Sequence, residues 1–403
     1  MLRVSTYSFY RSGELALVER QRDVLDIQVK ISSGKRINSP SDDPIGAGDA
    51  AAARSSISQF EQFRDNQSHA RYLLNLGETA VGEFVTAVQD ANEKLIAAGN
   101  GSYSNAERRA IAADLRGQLN RMIGLANSAD GAGGYLFAGS REAAAPFTAT
   151  DTAVTFRGDD TLQRLEVSQD RFQQVKYAGD ALFLKMRPGN GTFTTAAAAA
   201  NTGSGSIDIG AVINPSLLTG SAYAVNFTVA AGVTSYQVVR ASDSAVVTSG
   251  NYTSPTTIDF DGQRVTVQGA PANGDRFDIA PAGYRSIFDT MAAAIATLER
   301  DVDTLPQRAR FNSELGSHLG SLDQALTHLG LKRAELGTQL AELDAYEGLN
   351  DGRQLEYQTR LSRIEDLDIA QAAAELTRRQ ITHEAAIRSY SAVSRLSLFN
   401  FLS

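Results

Sequence analysis

The 403-residue sequence has no cysteine and no tryptophan, only four histidines, and no apolar run long enough to cross a bilayer. The missing cysteines exclude a disulfide framework, a thiol nucleophile and thiolate metal ligands. Two readings of that absence stand at this point: a cytoplasmic protein that never needed cysteine, or an exported chain that threads a narrow channel unfolded. Composition alone favours the first. The opening Met1-Leu2-Arg3-Val4-Ser5-Thr6-Tyr7-Ser8-Phe9-Tyr10 has neither the continuous apolar core nor the small-residue cleavage site of a secretory signal peptide. A formal net charge of −8 lacks the basic footprint of a nucleic-acid binder.

Chemistry-bearing patterns are equally scarce. His69, His318, His328 and His383 show no metal-ligand spacing, since His318 and His328 are too far apart for one helical turn. All four are expected to be solvated helix histidines. Asp42-Asp43 suits helix capping and Asp159-Asp160 suits a turn, and neither pair opens an EF-hand loop. Gly131-Ala132-Gly133-Gly134 lacks the Lys-Ser/Thr of a phosphate loop, so it reads as a flexible helix-to-strand turn. There is no Gly-x-Ser-x-Gly elbow. A structural protein without catalytic, cofactor or metal residues is the expectation, with no membrane insertion and no nucleic-acid partner.

What is present is periodicity. Residues 11–129 are helical in pattern, 135–282 strand-like and 285–400 helical again. This order predicts an α+β chain: a long antiparallel helical bundle or coiled coil from both chain ends, with an inserted outer β domain of sandwich type.

In the first arm, Leu15, Val18, Leu25 and Val29 form one helix face, interrupted by Arg22. Gly34 is a stop. Two prolines in Ser39-Pro40-Ser41-Asp42-Asp43-Pro44 cannot lie inside a straight helix, and Asp43 can cap a new one with Pro44 at its first position. That helix should run to about residue 98, with Val81, Phe84, Val88, Ala91 and Leu95 on one face and a weak, polar stripe from Gln59 to Ser68. After the Gly99-Asn100-Gly101 break, Ser104-Asn105-Ala106-Glu107 reads as a capping box.

The middle holds alternating runs such as Ala224–Val229, Tyr236–Val239, Thr257–Phe260 and Arg264–Val267. Gly189 to Gly205, rich in Gly, Thr, Ala and Asn, reads as a linker or flexible loop.

The sharpest signal is Leu315, Leu319, Leu322, Leu326, Leu329, Leu336, Leu340 and Leu343, a heptad seam broken only by Arg333. Such a seam needs a partner helix, and the arm before the β insertion is the candidate. Gly348-Leu349-Asn350-Asp351-Gly352 should weaken the helix beyond it. A last helical stretch carries Leu376, Ile387, Tyr390 and Val393. With Leu15, Val18, Leu25 and Val29, these are the expected assembly interface, the alternative for each position being ordinary intramolecular core, while the leucine seam is the expected helical core.

Ser33-Gly34-Lys35-Arg36-Ile37-Asn38-Ser39-Pro40-Ser41-Asp42-Asp43-Pro44 resembles the N-terminal motif of bacterial flagellin and the flagellar junction proteins, and Arg363-Ile364-Glu365-Asp366 resembles the matching C-terminal motif. Within that superfamily, three features are similar to the flagellar hook-associated protein 3 family. They are Pro44 after Asp43, where flagellins usually have alanine; Gly134-Tyr135-Leu136-Phe137-Ala138-Gly139-Ser140; and the ending Ser397-Leu398-Phe399-Asn400-Phe401-Leu402, with Phe401 in place of tyrosine. The resemblance covers about 1–187 and 285–403.

The resemblance implies a junction layer that self-assembles, sits on hook-associated protein 1 and offers flagellin a filament-like surface. It also implies an extracellular location, and export unfolded through the flagellar type III apparatus with a chaperone on the C-terminal helix. Export then becomes the better reading of the missing cysteines. The implied domains are 1–43 with 366–403 for assembly, 44–187 with 284–365 as a helical bundle with β-hairpins, and 188–283 as an outer β domain. Alternatives are a filament-forming flagellin, or a secreted adhesin or glycan-binding protein acting through the β domain.

Overall fold

The computed structural model describes residues 6–150 and 153–402, with the side chains of Thr6, Tyr7, Phe9 and 393–402 outside that description. Its helices are α1 (Thr6–Ser33), α2 (Pro44–Ala98), α3 (Asn105–Ala126), α4 (Ile287–Glu299), α5 (Leu305–Glu365) and α6 (Ile369–Leu402). Two compact units form, Met1–Asp65 with Ala345–Ser403, and Asn66–Asp344.

Local chemistry sets the helix ends. Gly34 takes φ +70° after α1, a left-handed conformation that costs a glycine little. Asp43 Oδ1 accepts from Gly46 N at 2.9 Å, with Pro44 first in α2. Ser104 and Glu107 close the capping box on α3.

The leucine seam lies on α5. Leu315, Leu322, Leu329, Leu336 and Leu343 are buried at strict seven-residue steps, and Leu319, Leu326 and Leu340 are half-buried between them. Its partner is α2, whose buried stripe runs Phe60, Phe63, Gln67, Ala70, Leu74, Gly77, Val81, Phe84, Val88, Ala91, Leu95 and Ala98. Those steps alternate three and four. The helices are antiparallel: in Asn66–Asp344, Asn92 Nδ2 donates to Asp323 Oδ1 at 3.0 Å and Arg333 Nε to Glu78 Oε1 at 3.1 Å. Arg333 thus leaves the apolar seam for an ion pair beside Gly82.

Two expectations about these helices need correction. The stripe from Gln59 to Ser68 is not weak: Phe60 and Phe63 are buried, and Gln67 donates through Nε2 to Val167 O at 2.7 Å. Nor does α5 weaken at Gly348 to Gly352. Asn350, 2% exposed, keeps the seven-residue step from Leu343, and packing outweighs a glycine cost of about 1 kcal/mol each.

Two hairpins, β1–β2 (Phe147–Ala149, Val154–Phe156) and β3–β4 (Arg164–Ser168, Arg171–Gln174), follow α3. A knot of aromatic rings lies beneath them. Phe183, in the π-helical turn Asp180–Leu184, has ring centroids of Phe84, Phe137, Phe147 and Phe288 at 4.5–6.2 Å. Gly139, at φ +68°, lets the chain pass Asp159, which accepts from Ser140 N at 2.8 Å. The Gly131–Gly134 turn is tied rather than loose: Asp130 Oδ1 accepts from Ala132 N and Gly134 N, both at 2.9 Å. Lys176, buried, bridges Asp130 at 2.8 Å and Glu142 at 2.6 Å. The Lys176 hydrogen bond holds the Asp130 carboxyl down at about 2.

The β domain has strands β5 (Phe193–Ala197), β6 (Ser206–Ile207), β7 (Ala211–Val212), β8 (Tyr223–Ala230), β9 (Val233–Arg240), β10 (Val246–Asn251), β11 (Thr256–Phe260), β12 (Gln263–Gln268) and β13 (Arg276–Pro281). One antiparallel sheet is ordered β10-β9-β8-β13-β5 and the other β11-β12-β6, with β7 also on β12. Phe193, Tyr223, Phe227, Val265 and Phe277 belong to their common core. The expected linker from Gly189 to Gly205 is corrected here, because it contains β5 and buries Phe193. The domain is seated on α5: Gly189 N donates to Ser321 Oγ at 2.9 Å and Ile207 N to Ser313 Oγ at 3.0 Å. Both acceptors are buried.

His318 is also corrected. It is not solvated; its Nε2 lies 3.0 Å from Thr297 Oγ1, and burial, then Arg285 and Arg300, push its pKa down to about 4. His328 Nε2 lies 2.8 Å from Ala181 O. For His318 the unfolded chain takes up a proton near pH 6.5 and the folded one only near 4, so stability falls as pH drops through that window. Between pH 7.5 and 5.5 the expected loss is about 1 kcal/mol. Urea midpoints of the wild type and of His318→Gln at the two pH values check this; an equal acid loss in both would refute it.

Candidate assembly interface

The unit Met1–Asp65 with Ala345–Ser403 is built on an antiparallel pair, α1 against α6. α1 turns a narrow stripe toward α6: Gly13, Leu17, Val24, Ile27 and Ile31 are buried or half-buried. α6 answers with Ala372, Leu376, Arg379, His383, Ala386 and Tyr390 at three- and four-residue steps. Gly13 is needed for this fit, since a Cβ there would lie 2.7 Å from the Tyr390 ring. Tyr10 meets Tyr390 edge-on at 6.3 Å. Arg379 Nη1 donates to Asp23 O at 2.8 Å and lies 3.6 Å from Asp26.

The two sequence motifs meet beneath that pair. Lys35 and Asp366 form an isolated antiparallel bridge, with Arg36 N donating to Glu365 O at 2.6 Å and Leu367 N to Gly34 O at 3.0 Å. Arg36 Nη2 also donates to Ile364 O at 2.9 Å, and Nη1 reaches Asp43 at 3.2 Å. Glu365 is the centre: its buried carboxylate pairs with Lys35 at 3.1 Å and with Arg54. Burial opposes ionisation of Glu365, and the Arg54 and Lys35 hydrogen bonds reverse that and hold its pKa below the usual range. The motifs thus act as a clasp that fixes where α1 ends, α2 starts and α6 starts.

The predicted interface residues divide in two. Leu15, Val18, Leu25 and Val29 are 53–63% exposed while Ile27 between them is 6% exposed, so they form a ridge on the side of α1 away from α6. Ile387 is exposed on α6. Leu376 and Tyr390 instead pack half-buried against α1. The Val393 side chain lies outside the described residues. Sequence reasoning missed Ile381, Gly13, Arg379 and the Glu365 clasp. Ile381 follows Ile369, Ala373 and Thr377 at helical spacing and was legible; Gly13 gave no signal beyond being a glycine in a helix.

Among the described residues, no group of three or more His, Asp or Glu could hold a metal ion. No helix there is long and apolar enough to cross a membrane.

Comparison with known proteins is consistent with this geometry at both ends. Residues 4–142 match the bacterial flagellin N-terminal helical region and 319–402 the C-terminal helical region. Residues 196–281 match the D2-like domain of flagellar hook-associated protein 1. The FlgL crystal structure from Xanthomonas campestris is 31% identical, with a TM-score of 0.71, covering 77% of this chain and 99% of that one. This chain belongs to the flagellar hook-associated protein 3 (FlgL) family. Flagellar hook-associated protein 3 of Salmonella typhimurium is 26% identical over 399 residues, 99% of each chain. The hook-associated protein 3 structure from Legionella pneumophila has a TM-score of 0.76 at 26% identity, covering 78% of this chain and 98% of that one. The family's α+β architecture, flagellin-like helical ends around an inserted β domain, is the one described above.

Proposed function

We propose that this protein is a structural subunit of the bacterial flagellum that joins hook to filament by self-assembly through its terminal helices. The observation that carries the reading is the α1–α6 pair, which has flagellin-like ends and an apolar ridge left uncovered on a folded chain. It receives hook-associated protein 1 on one side and flagellin on the other, is exported unfolded, and is held by a chaperone before export. It acts outside the cell and has no enzymatic role.

We assign assembly to 1–43 with 366–403, a rigid shell to 44–187 with 284–365, and the outer surface to 188–283. The Ser313 and Ser321 hydrogen bonds support a fixed rather than tethered β domain. Labelling by immuno-electron microscopy should give one narrow band between hook and filament, and label along the filament would favour the flagellin reading. Deleting the gene should release unpolymerised flagellin into the medium; loss of flagellin itself would overturn the junction role. Limited proteolysis of the monomer should remove both ends before cutting between about residues 45 and 360.

A further inference from the structure

Between the end of α4 and the start of α5 a cleft of about 280 Å³ opens, lined by Thr297, Arg300, Gln307, Arg310 and Phe311, with Asp301 beside them. Arg300 and Arg310 share one carboxylate there. Glu314 Oε1 accepts from Arg300 Nη1 at 3.1 Å and from Arg310 Nε at 2.8 Å. Asp301 does not redress the balance, because Arg109 holds it at 2.6 Å. Burial and the neighbouring Arg310 charge both push the Arg300 pKa down.

A third guanidinium lies against the Phe311 wall. Arg108, 6% exposed, stands 5.4 Å from the centre of that ring. It donates to Tyr103 O at 2.5 Å and to Asn105 Oδ1, and its Nε is buried without a partner. Asp303 is one step removed from it, accepting from Asn105 Nδ2 at 2.8 Å. A buried charge that no carboxylate touches favours an anion nearby.

The groups left over at the cleft are donors. Arg310 keeps both Nη groups, and Gln307 its Nε2, without an acceptor among the described residues. Gln307 uses its Oε1 elsewhere: it accepts from Asp303 N at 3.0 Å and Thr304 N at 2.9 Å, closing a capping box with Thr304 ahead of α5. Glutamate closes such a box equally well and would also neutralise the arginine pair. With glutamine the box is closed and the cleft stays positive and donor-lined. That is the chemistry with which guanidinium forks grip phosphate and carboxylate groups.

We infer that the cleft between Arg300 and Arg310 binds an oxyanion, a phosphate-type group or a carboxylate, held by the two guanidiniums and the Gln307 amide. Its occupant is felt at His318 through Thr297. Thr297 Oγ1 accepts from Arg300 Nη2 at 3.0 Å, lies 3.0 Å from Glu314 Oε2 and 3.0 Å from His318 Nε2. Besides burial, the Arg285 and Arg300 charges keep His318 neutral. An anion beside Arg300 offsets one of them, so His318 takes up its proton at a higher pH when the cleft is filled.

The test uses the purified full-length monomer at neutral pH and fixed ionic strength, with sulfate, malonate or chloride as the probe. Sulfate also stabilises proteins generally by exclusion from their surfaces, so the readout is the wild type against Gln307→Glu. That variant keeps the capping box and sets a carboxylate at the cleft. Relative to chloride, sulfate or malonate should raise the wild-type melting midpoint by at least about 2 °C more than that of Gln307→Glu. A larger excess with sulfate assigns the site to phosphate-type groups, and with malonate to carboxylates. Arg310→Gln, which removes the free Nη donors, should lose the same excess. Equal shifts in all three proteins would overturn the site. The second readout is the His318 ring signal followed by NMR against pH. Sulfate, which stays ionised throughout, should move the wild-type midpoint up and leave Gln307→Glu unmoved. A wild-type midpoint indifferent to sulfate would overturn the placement beside Arg300.

Discussion

Phe183→Ala is expected to destabilise the Asn66–Asp344 unit by about 3–5 kcal/mol. The Phe183 ring is fully buried and meets Phe84 of α2, Phe137 of the Tyr135–Ser140 segment, Phe147 of β1 and Phe288 of α4. Four chain segments therefore lose a common neighbour at once. Collapse around the cavity is restricted because each remaining ring belongs to a different element, and a site that cannot collapse keeps most of its cavity penalty. Phe172→Ala is the control. That ring is 63% exposed on β4, and its removal should change stability by less than about 0.5 kcal/mol. Urea unfolding of the two variants, followed by circular dichroism, separates the outcomes. A Phe183→Ala loss below about 1 kcal/mol would show that the aromatic knot does not hold these elements together.

Helical periodicity was the most legible part of the fold, because a buried helix face repeats over many turns. The α5 seam announces itself with leucines. Its partner on α2 is equally regular but fills its steps with Gln67, Ala70, Gly77, Ala91 and Ala98, which carry little apolar signal. Small and polar residues keep the steps regular without adding apolar bulk, so the stripe is hidden in the composition. Gly348 and Gly352 misled in the opposite direction, since local propensity was outweighed by the long-range pairing of the helix.

In the β domain, β8, β9, β11 and β12 were visible as alternating runs. β13 was missed although Phe277 and Ile279 alternate with Arg276 and Asp278. β5 was hidden by its Thr-Ala composition, and only Phe193 marks it as buried. Burial of His318 was illegible, because the arginines and the Thr297 hydroxyl around it come from separate positions in the sequence.

The candidate site was legible in residues and not in geometry. The spacing of Leu15, Val18, Leu25 and Val29 defines a stripe but cannot say whether that stripe is core or surface. The structure places α6 on the opposite side of α1, and that placement depends on Gly13 admitting Tyr390. The two family motifs were recognisable as patterns. That they grip each other through Glu365 required the chain ends to be brought together.

The largest functional effect is expected from the double substitution Val18→Asp with Leu25→Asp. Each side chain is more than half exposed in the folded chain, so the monomer loses little packing. The cost of two aspartates in a helix interior is about 1 kcal/mol in all. At an assembled contact the balance is different. Two aliphatic side chains forfeit burial of about 1.5–3 kcal/mol each, and two carboxylates enter the contact with a single arginine, Arg22, between them to offset their charge. With every 1.4 kcal/mol worth about tenfold in association, incorporation should fall by more than about a hundredfold. The same substitutions at Leu322 and Leu329 would act on the monomer instead, since both are fully buried in the α5 seam. Comparing the two pairs separates a surface that serves assembly from a core that serves folding. The readouts are urea midpoints of the monomers and the amount of chain in isolated flagella. If Val18→Asp with Leu25→Asp assembles normally, the ridge is idle surface; if its monomer melts as poorly as the Leu322 and Leu329 variant, the ridge is core after all.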